Sequence, residues 1–307
     1  MKNEENNTYK TEFKSELDKF ATKLKDYVST DNGDWAVKGF IDIYKNIYTI
    51  SADTKIISKI LEIHIFPQIL EFAESIGYKI MLAEKQNWYP DITLINKSNE
   101  NIKFAIDIKT TYRDSKKGKN ATGFTLGSHG TYFRERNNPK NIQFAYSQYT
   151  GHYVLGIIYT RVDVSDTIET EIYQVKELEE EYIPKNKKIG HREITTVENL
   201  KSITSVIKDF DFFAAEKWKI ASDGQGSGNT ANIGSIVNID DLKNERGTFS
   251  NLGEDWFDDY WINYGNITFI KDDKTIKITR LKDYLEFKNR EDLIEKIVKS
   301  AIIKKKL

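Results

Sequence analysis

Two short stretches decide the reading of this chain: Asn87-Trp88-Tyr89-Pro90-Asp91-Ile92-Thr93-Leu94 and Phe104-Ala105-Ile106-Asp107-Ile108-Lys109-Thr110-Thr111. Side chains alternate between the two faces of a strand, so a strand over 102–109 puts Ile102, Phe104, Ile106 and Ile108 on one face. Ala105, Asp107 and Lys109 then share the other. An acid and a lysine stand two residues apart on a strand whose opposite face is apolar. Asp91 follows Pro90 and opens a second strand candidate, 92–96. If the two segments pair as a hairpin, both aspartates converge with Lys109 at one end of a sheet.

Two carboxylates in a chain with no cysteine make a set of hard oxygen donors. Such a set suits Mg²⁺, which keeps several waters and takes further oxygens from a phosphate. A lysine beside it can hydrogen-bond an attacking water, favour its deprotonation, or stabilise charge developing on phosphorus. These are the parts of metal-assisted phosphodiester hydrolysis. The acid-x-Lys spacing is common here, recurring at Glu12/Lys14, Asp53/Lys55, Asp114/Lys116, Asp241/Lys243, Asp272/Lys274 and Glu286/Lys288, whereas Pro-Asp occurs once. The competing reading is a solvated strand face whose ion pair is worth about 0–1 kcal/mol. These residues alone leave both open.

Working outward, 307 residues allow one elaborate domain or two modest ones. With 39% hydrophobic residues there is material for a core, which excludes global disorder. No apolar run approaches the roughly 20 residues that span a bilayer. The polar N-terminus argues against a signal peptide, and the absence of cysteine agrees with a cytoplasmic address. Phe13, Leu17, Phe20, Leu24 and Val28 predict an amphipathic helix over 11–29. Residues 35–50 read as a hairpin or strand pair. A long helix over 53–75 is capped by Asp53 or Ser51 and ended by Gly77, with Ile56, Ile57, Ile60, Leu61, Ile65, Ile69 and Phe72 as its apolar positions. Further strands are expected at 78–82 and 153–162, a solvated excursion over 163–210, strands within 217–240, and one or two basic helices over 278–303. The class is mixed α/β, a central sheet with the long helix against it.

Charge is balanced overall, 46 basic against 47 acidic residues, but segregated. Residues 163–216 hold 13 acidic and 7 basic residues, and 271–307 hold 7 and 12. Gly224-Gln225-Gly226-Ser227-Gly228-Asn229-Thr230 is the most unusual local composition. It lacks a P-loop lysine and a dinucleotide fingerprint, which excludes those nucleotide sites. Glycines permit close approach to a ligand, and Asn pairs with adenine bidentately, although a turn between strands is the commoner fate of such a loop. His64, His129, His152 and His191 show no metal spacing. Glu62 reads as a helical pair with Lys59.

Taken in order, these segments resemble the EcoRV family of type II restriction endonucleases, within the P-D…D/E-x-K nuclease superfamily. The resemblance rests on Ser51-Ala52-Asp53-Thr54-Lys55, Tyr89-Pro90-Asp91-x-Thr93-Leu94, Ala105–Tyr112, Phe124-Thr125-Leu126-Gly127, Asn137-Asn138-x-Lys140-Asn141-Ile142, Tyr159-Thr160-Arg161-Val162 and Gly226–Ile236. It runs over roughly 12–265. It implies a restriction-endonuclease-like fold, one domain over 1–307, with 34–50 and part of 150–165 as a dimerisation region. Residues 185–210 look like an insertion and 266–307 like a C-terminal extension. Gln225 and Ala231 depart from the family pattern beside the glycine loop.

The resemblance also implies roles. Asp91 and Asp107 match metal carboxylates, with the Ile108 carbonyl left near the same end, and Lys109 matches the catalytic lysine. Glu62 matches an additional helix carboxylate, which reverses the simpler reading of that residue. Gly226, Ser227, Gly228, Asn229 and Thr230 match a loop that reads the major groove; Gln86 and Asn87 match one lining the minor groove. Thr54 and Thr111 match phosphate contacts, and Lys55, Lys140 and Arg161 in the matching stretches join them as DNA-binding candidates. The implied activity is Mg²⁺-dependent cleavage of double-stranded DNA by a homodimer, with Mn²⁺ substituting. The implied target is GATATC, cut to blunt ends with 5′-phosphates, with a cognate DNA methyltransferase as genetic partner. The rivals are a structure-selective or repair nuclease of the same fold and a DNA-binding protein that does not cut. A near-neutral total fits such an enzyme, because only the DNA cleft needs positive potential.

Overall fold

The computed structural model describes residues 2–85, 87–162, 172–175, 195–226, 231–271 and 274–299. In chain order these form α1 (Lys2–Val28), β1 (Gly39–Ile41), β2 (Asn46–Thr49), α2 (Thr54–Ser75), β3 (Tyr78–Leu82), β4 (Ile92–Asn96) and β5 (Lys103–Tyr112). There follow β6 (Thr125–Ser128), α3 (Thr131–Arg134), β7 (Gly151–Arg161), β8 (Ile172–Val175), β9 (Thr195–Val197) and β10 (Ile207–Glu216). The chain continues with β11 (Ala221–Gln225), β12 (Asn232–Ser235), α4 (Ile239–Lys243), α5 (Glu254–Asn263), β13 (Thr268–Lys271), β14 (Lys274–Lys277) and α6 (Leu281–Phe287). The fold is mixed α/β with a central mixed sheet flanked by helices, as the sequence predicts. The chain divides into two compact units: 1–23, 68–158 and 212–307 in one, 24–67 and 159–211 in the other.

In the first unit the central sheet has the order β10-β7-β5-β4-β3. Strands β3, β4 and β5 form an antiparallel meander with Leu82↔Ile92 and Ile92↔Ile106 in register. The expected apolar face of β5 is buried throughout, and Phe104 stacks on Phe13 of α1 with centroids 4.0 Å apart. The second face of β5 is covered too, since Ala105 packs in the core cluster with Tyr89, Leu126, Tyr132 and Phe213, and Asp107 beside it is buried. A solvated strand face is therefore excluded. A second sheet, β11-β12-β6, pairs Asn232 with Ser128 and Ala221 with Ser235. Ile278, Leu281, Tyr284, Leu285 and Leu293 are buried in the core cluster that also contains Leu126, Ile233 and Trp261. The C-terminal segment through Leu293 is thus part of this unit's core.

Some boundaries differ from the sequence reading. Helix α1 begins at Lys2 rather than 11, since nothing in 2–10 breaks a helix and Glu4 and Glu5 favour its N-terminus. Ile56 is exposed although it fits the apolar series of α2. The expected excursion over 163–210 is strand from Ile207 onward, where Ile207 and Phe210 are buried. Most of the remaining excursion lies outside the described residues, as do 300–303 of the expected C-terminal helices; within these, α6 is followed by a 3₁₀ turn, Glu291–Lys296. Residues 217–220 form a 3₁₀ turn and 239–243 a helix where strands were expected.

In the second unit, β1-β2-β8-β9 form a small sheet with Ile47, Val197 and Ile203 as its core. Asp53 caps α2, accepting the N–H groups of Lys55 (2.9 Å) and Ile56 (3.1 Å). Trp35 is fully buried and its indole N–H donates to His64 Nδ1 at 3.3 Å. The turn from β1 to β2 is built on Asp42, whose carboxylate accepts from the N–H groups of Tyr44 and Asn46 and from the Tyr48 hydroxyl. This hairpin leaves Phe40, Ile41 and Tyr44 exposed, with Ile43 at 87% exposure.

One close approach in the core gives a direct test. A Cβ on Gly156 of β7 would lie 2.1 Å from the ring of Phe213 on the adjacent β10. Gly156→Ala is expected to destabilise the protein by about 1–3 kcal/mol through overpacking, read as a lowered urea midpoint with an unchanged m-value.

Candidate active site

The site begins with register. Residues paired across β4 and β5 have numbers that sum to 198, as in Ile92↔Ile106 and Leu94↔Phe104. Continuing by one position sets Asp91 opposite Asp107, so both carboxylates leave the same face of the sheet. Asp91 Oδ2 accepts the Ile108 N–H at 2.7 Å, which fixes the first carboxylate against the strand that bears the second. Lys109 Nζ lies 2.8 Å from Asp107 Oδ2. Asp107 is only 5% exposed, whereas Asp91 is open.

These three side chains line a cleft of about 310 Å³, together with Asn87, Trp88, Tyr132, Lys140, Asn141 and Asn232. Of the residues singled out by sequence, Asp91, Asp107, Lys109, Asn87 and Lys140 therefore share one cavity. Asn141 and Asn232 were quoted only as parts of matching stretches, and Tyr132 carried no signal of its own. Among the described residues no group of three or more His, Cys, Asp or Glu side chains is arranged to hold a metal. A cation here would use two carboxylates, main-chain oxygen and water, which is the donor chemistry Mg²⁺ prefers.

Other candidates are placed differently. Gln86 and Ser227, Gly228, Asn229 and Thr230 lie outside the described residues. Gly226 is buried at the end of β11, where its N–H donates to the Asn232 carbonyl at 3.0 Å. A Cβ there would come within 2.6 Å of Thr125 Cγ2, so a larger residue would have to displace that side chain. Thr111 is buried, its hydroxyl engaged with Thr122 (2.9 Å) and the Gly123 carbonyl (3.3 Å). Glu62, Thr54, Lys55 and Arg161 belong to the second unit. There Glu62 pairs with Lys59 at 2.8 Å, Thr54 and Lys55 occupy the exposed first turn of α2, and Arg161 Nη2 donates to the Ala52 carbonyl.

Beneath the cleft lies a polar, aromatic core. The rings of Tyr89 and Tyr132 stack at 5.5 Å, and the Tyr89 hydroxyl is hydrogen-bonded to His152 Nδ1 at 2.9 Å. Burial raises both phenols, and the charge of Asp107 adds to the effect. Burial also pushes His152 well below its ordinary value, with the charges of Lys217 and Arg136 acting in the same direction. The ammonium of Lys217 is enclosed among these rings. The residue falls where strand was expected, and the charged context Glu216-Lys217-Trp218-Lys219 carries no signal of burial for Lys217.

The flank of the glycine loop has its own support. His129 is hydrogen-bonded to Arg134 (3.3 Å) and to the side-chain amide of Gln225 (3.1 Å), the residue preceding Gly226. Burial, reinforced by Arg134, holds the His129 imidazole down at about 4. Both buried histidines bind protons less readily folded than unfolded. Stability is therefore fully present above the unfolded value of about 6.5 and falls as pH drops toward 4. His129→Gln is expected to flatten that decline, measured as the slope of the urea midpoint between pH 7 and pH 4.

Sequence comparisons agree with this architecture. The family model "Restriction endonuclease EcoRV" matches residues 31–188 and 181–289. The type II restriction enzyme EcoRV of Escherichia coli is 36% identical over 256 residues, covering 83% of this chain and 93% of that protein. The family match extends past 266, into the segment whose side chains complete the core of the first unit.

Proposed function

Because the chain belongs to the EcoRV family of type II restriction endonucleases, site-specific deoxyribonucleases acting on double-stranded DNA, we propose that it cuts GATATC as an Mg²⁺-dependent homodimer. The observation that carries this is the convergence of Asp91, Asp107 and Lys109 in one cleft, with Asp91 at the entry to β4 and bonded to the Ile108 N–H of the paired β5. When bound, Mg²⁺ supplies charge neutralisation at the phosphate and a lowered pKa for an attacking water. Asp91 and Asp107, with the Ile108 carbonyl, hold it; Mn²⁺ substitutes. Glu62 is retained as an auxiliary carboxylate. Lys109 turns from Asp107 to hydrogen-bond the attacking water and the phosphate oxygens. Water oxygen bonds to phosphorus as the 3′-oxygen leaves, giving a 5′-phosphate.

Sequence choice is assigned to Gly226–Thr230 in the major groove and Gln86-Asn87 in the minor groove. Asn229 pairs with adenine, and the Thr230 methyl packs on a thymine methyl. The central TA step is flexible and is read through its low cost of deformation. Thr54, Lys55, Thr111, Lys140 and Arg161 serve the DNA backbone. A palindrome is read by a two-fold dimer, and the exposed Phe40, Ile41, Ile43 and Tyr44 of the β1–β2 hairpin support an interface over 34–50 with part of 150–165. A cytoplasmic address and a protecting methyltransferase complete the reading.

Digestion of a plasmid of known sequence in Mg²⁺, with the ends sequenced, is expected to give discrete blunt-ended products at GATATC. Irregular products would indicate a structure-selective nuclease, and binding in Ca²⁺ without cleavage in Mg²⁺ a protein that only binds. Asp91→Ala and Asp107→Ala are expected to abolish cleavage while circular dichroism stays unchanged. Lys109→Ala should lower the single-turnover rate by about 10²–10⁴-fold with binding in Ca²⁺ retained. Ile43→Asp, at an exposed position, is expected to shift a sedimentation dimer toward monomer without changing the monomer's secondary structure.

A further inference from the structure

The neck of the glycine loop is closed by a main-chain bond from the Gly226 N–H to the Asn232 carbonyl, 3.0 Å long. The strand on its near side, β11, lies at one edge of the sheet β11-β12-β6, and its register on β12 shifts between Ala221 and Gln225. An edge strand paired on one side through an irregular register is weakly fixed at its end. His129 follows directly on β6, at the opposite edge, and holds both sides of the neck. Its N–H donates to the Ala231 carbonyl at 2.8 Å, continuing the ladder from Ser128↔Asn232. Its ring meets the side-chain amide of Gln225, the last residue of β11, at 3.1 Å. One residue therefore joins the two edges of the sheet where the loop leaves it.

The ring is itself held from behind. His129 is 2% exposed and packs on Trp261 and Tyr264, with centroids 5.2 and 5.3 Å away. Its Nδ1 lies 3.3 Å from Nη2 of Arg134 in α3, which also donates to the Tyr264 carbonyl at 3.4 Å. A guanidinium only donates, so Nδ1 accepts, and a neutral ring then carries its proton on Nε2. That N–H donates to Gln225, whose amide meets it with its oxygen, a half-turn of the amide exchanging oxygen and nitrogen. Burial and the Arg134 charge keep the ring in this neutral form.

We propose that His129 is a positioning residue for sequence discrimination, a clasp across the neck that presents the Gly226–Thr230 loop to the base edges in one orientation. The inference rests on the reading of that loop as the one that reads the major groove. Gln225 and Ala231, the two residues beside the loop that depart from the family pattern, are the two that His129 holds. The hold on Ala231 uses main chain, which any residue supplies. The hold on Gln225 uses a side-chain amide, so that half of the clasp depends on the residue this chain carries. A loop whose ends are already fixed loses less freedom when it docks, and more of its contact energy is left to separate right bases from wrong ones.

The test reads discrimination, which a merely structural role would not move. Single-turnover cleavage in Mg²⁺ is measured on a duplex carrying the preferred site found by plasmid digestion and on one with its outer base pair changed. The ratio of the two rates cancels the fraction of protein folded. Gln225→Ala removes the partner at a half-buried position. His129→Phe keeps a ring against Trp261 and Tyr264 and removes the bond. Each is expected to lower the ratio by about 10-fold, the effect of weakening one base contact, and the double variant to lower it no further, because both changes break the same bond. A wild-type ratio in Gln225→Ala overturns the proposal, and that variant decides alone if His129→Phe does not fold. A double variant whose loss is the product of the two single losses also overturns it. Asn229→Ala, inside the loop, tests the reading underneath: discrimination surviving there means the bases are read elsewhere. Discrimination lost in Asn229→Ala but kept in Gln225→Ala sinks the clasp alone.

Discussion

The antiparallel register of β4 on β5 is the constraint on which the site depends. Pairing Ile92 with Ile106 sets Asp91 opposite Asp107, and the 2.7 Å bond from the Ile108 N–H to Asp91 locks that end of the ladder. A slip of one residue would move every side chain of the strand to the other face. Phe104, Ile106 and Ile108 would leave the core and the second carboxylate would leave the cleft. The same apolar alternation that stabilises the sheet thus sets the geometry of its chemistry.

Placing β5 in the interior of the sheet creates an electrostatic problem that the surroundings address. Asp107 is buried, and burial of a charged side chain is costly unless it is paired. Lys109 supplies one cation directly, and the enclosed Lys217 stands among the Tyr89, Phe133 and Tyr146 rings behind the cleft. Burying an ammonium without a hydrogen bond costs stability, and the faces of these rings offset part of that cost by cation–π attraction. The aromatic floor also fills the space beneath the cleft, which keeps its polar lining fixed by packing as well as by hydrogen bonds.

The flank of the glycine loop is steadied from two sides. His129 engages Gln225, and Asp223 on the same strand binds the C-terminal segment through Arg280 at 3.2 Å and the Leu281 N–H at 3.1 Å. Gln225, which departs from the family pattern in sequence, has a local partner in His129. The C-terminal segment contributes buried Ile278, Leu281 and Tyr284 to the same core. It links the strand bearing the loop to the body of its unit.

Much of this was legible in one dimension because the underlying physics is local. Alternation gave the faces of β5, 3.6-residue spacing gave the buried stripe of α1, and Asp53 and Gly77 marked the ends of α2. The pairing of Pro90-Asp91 with Asp107-Ile108-Lys109 followed from two adjacent strands and a short connection. Other features depend on contacts that no local pattern carries. Lys217 carries no sequence signal of burial, and Tyr89, Phe133 and Tyr146 reach its ammonium from distant parts of the chain. The second face of β5 is buried because Ala105 packs among Tyr89, Leu126, Tyr132 and Phe213, contacts that alternation cannot reveal. Glu62 shows the limit most plainly: periodicity and the Lys59 contact describe an ordinary helical pair, and only the family resemblance assigns it more. Local propensity and spacing determined the strands and the acid–lysine set, while depth, charge environment and the partners of Gln225 came from long-range packing, where desolvation and neighbouring charge are decided.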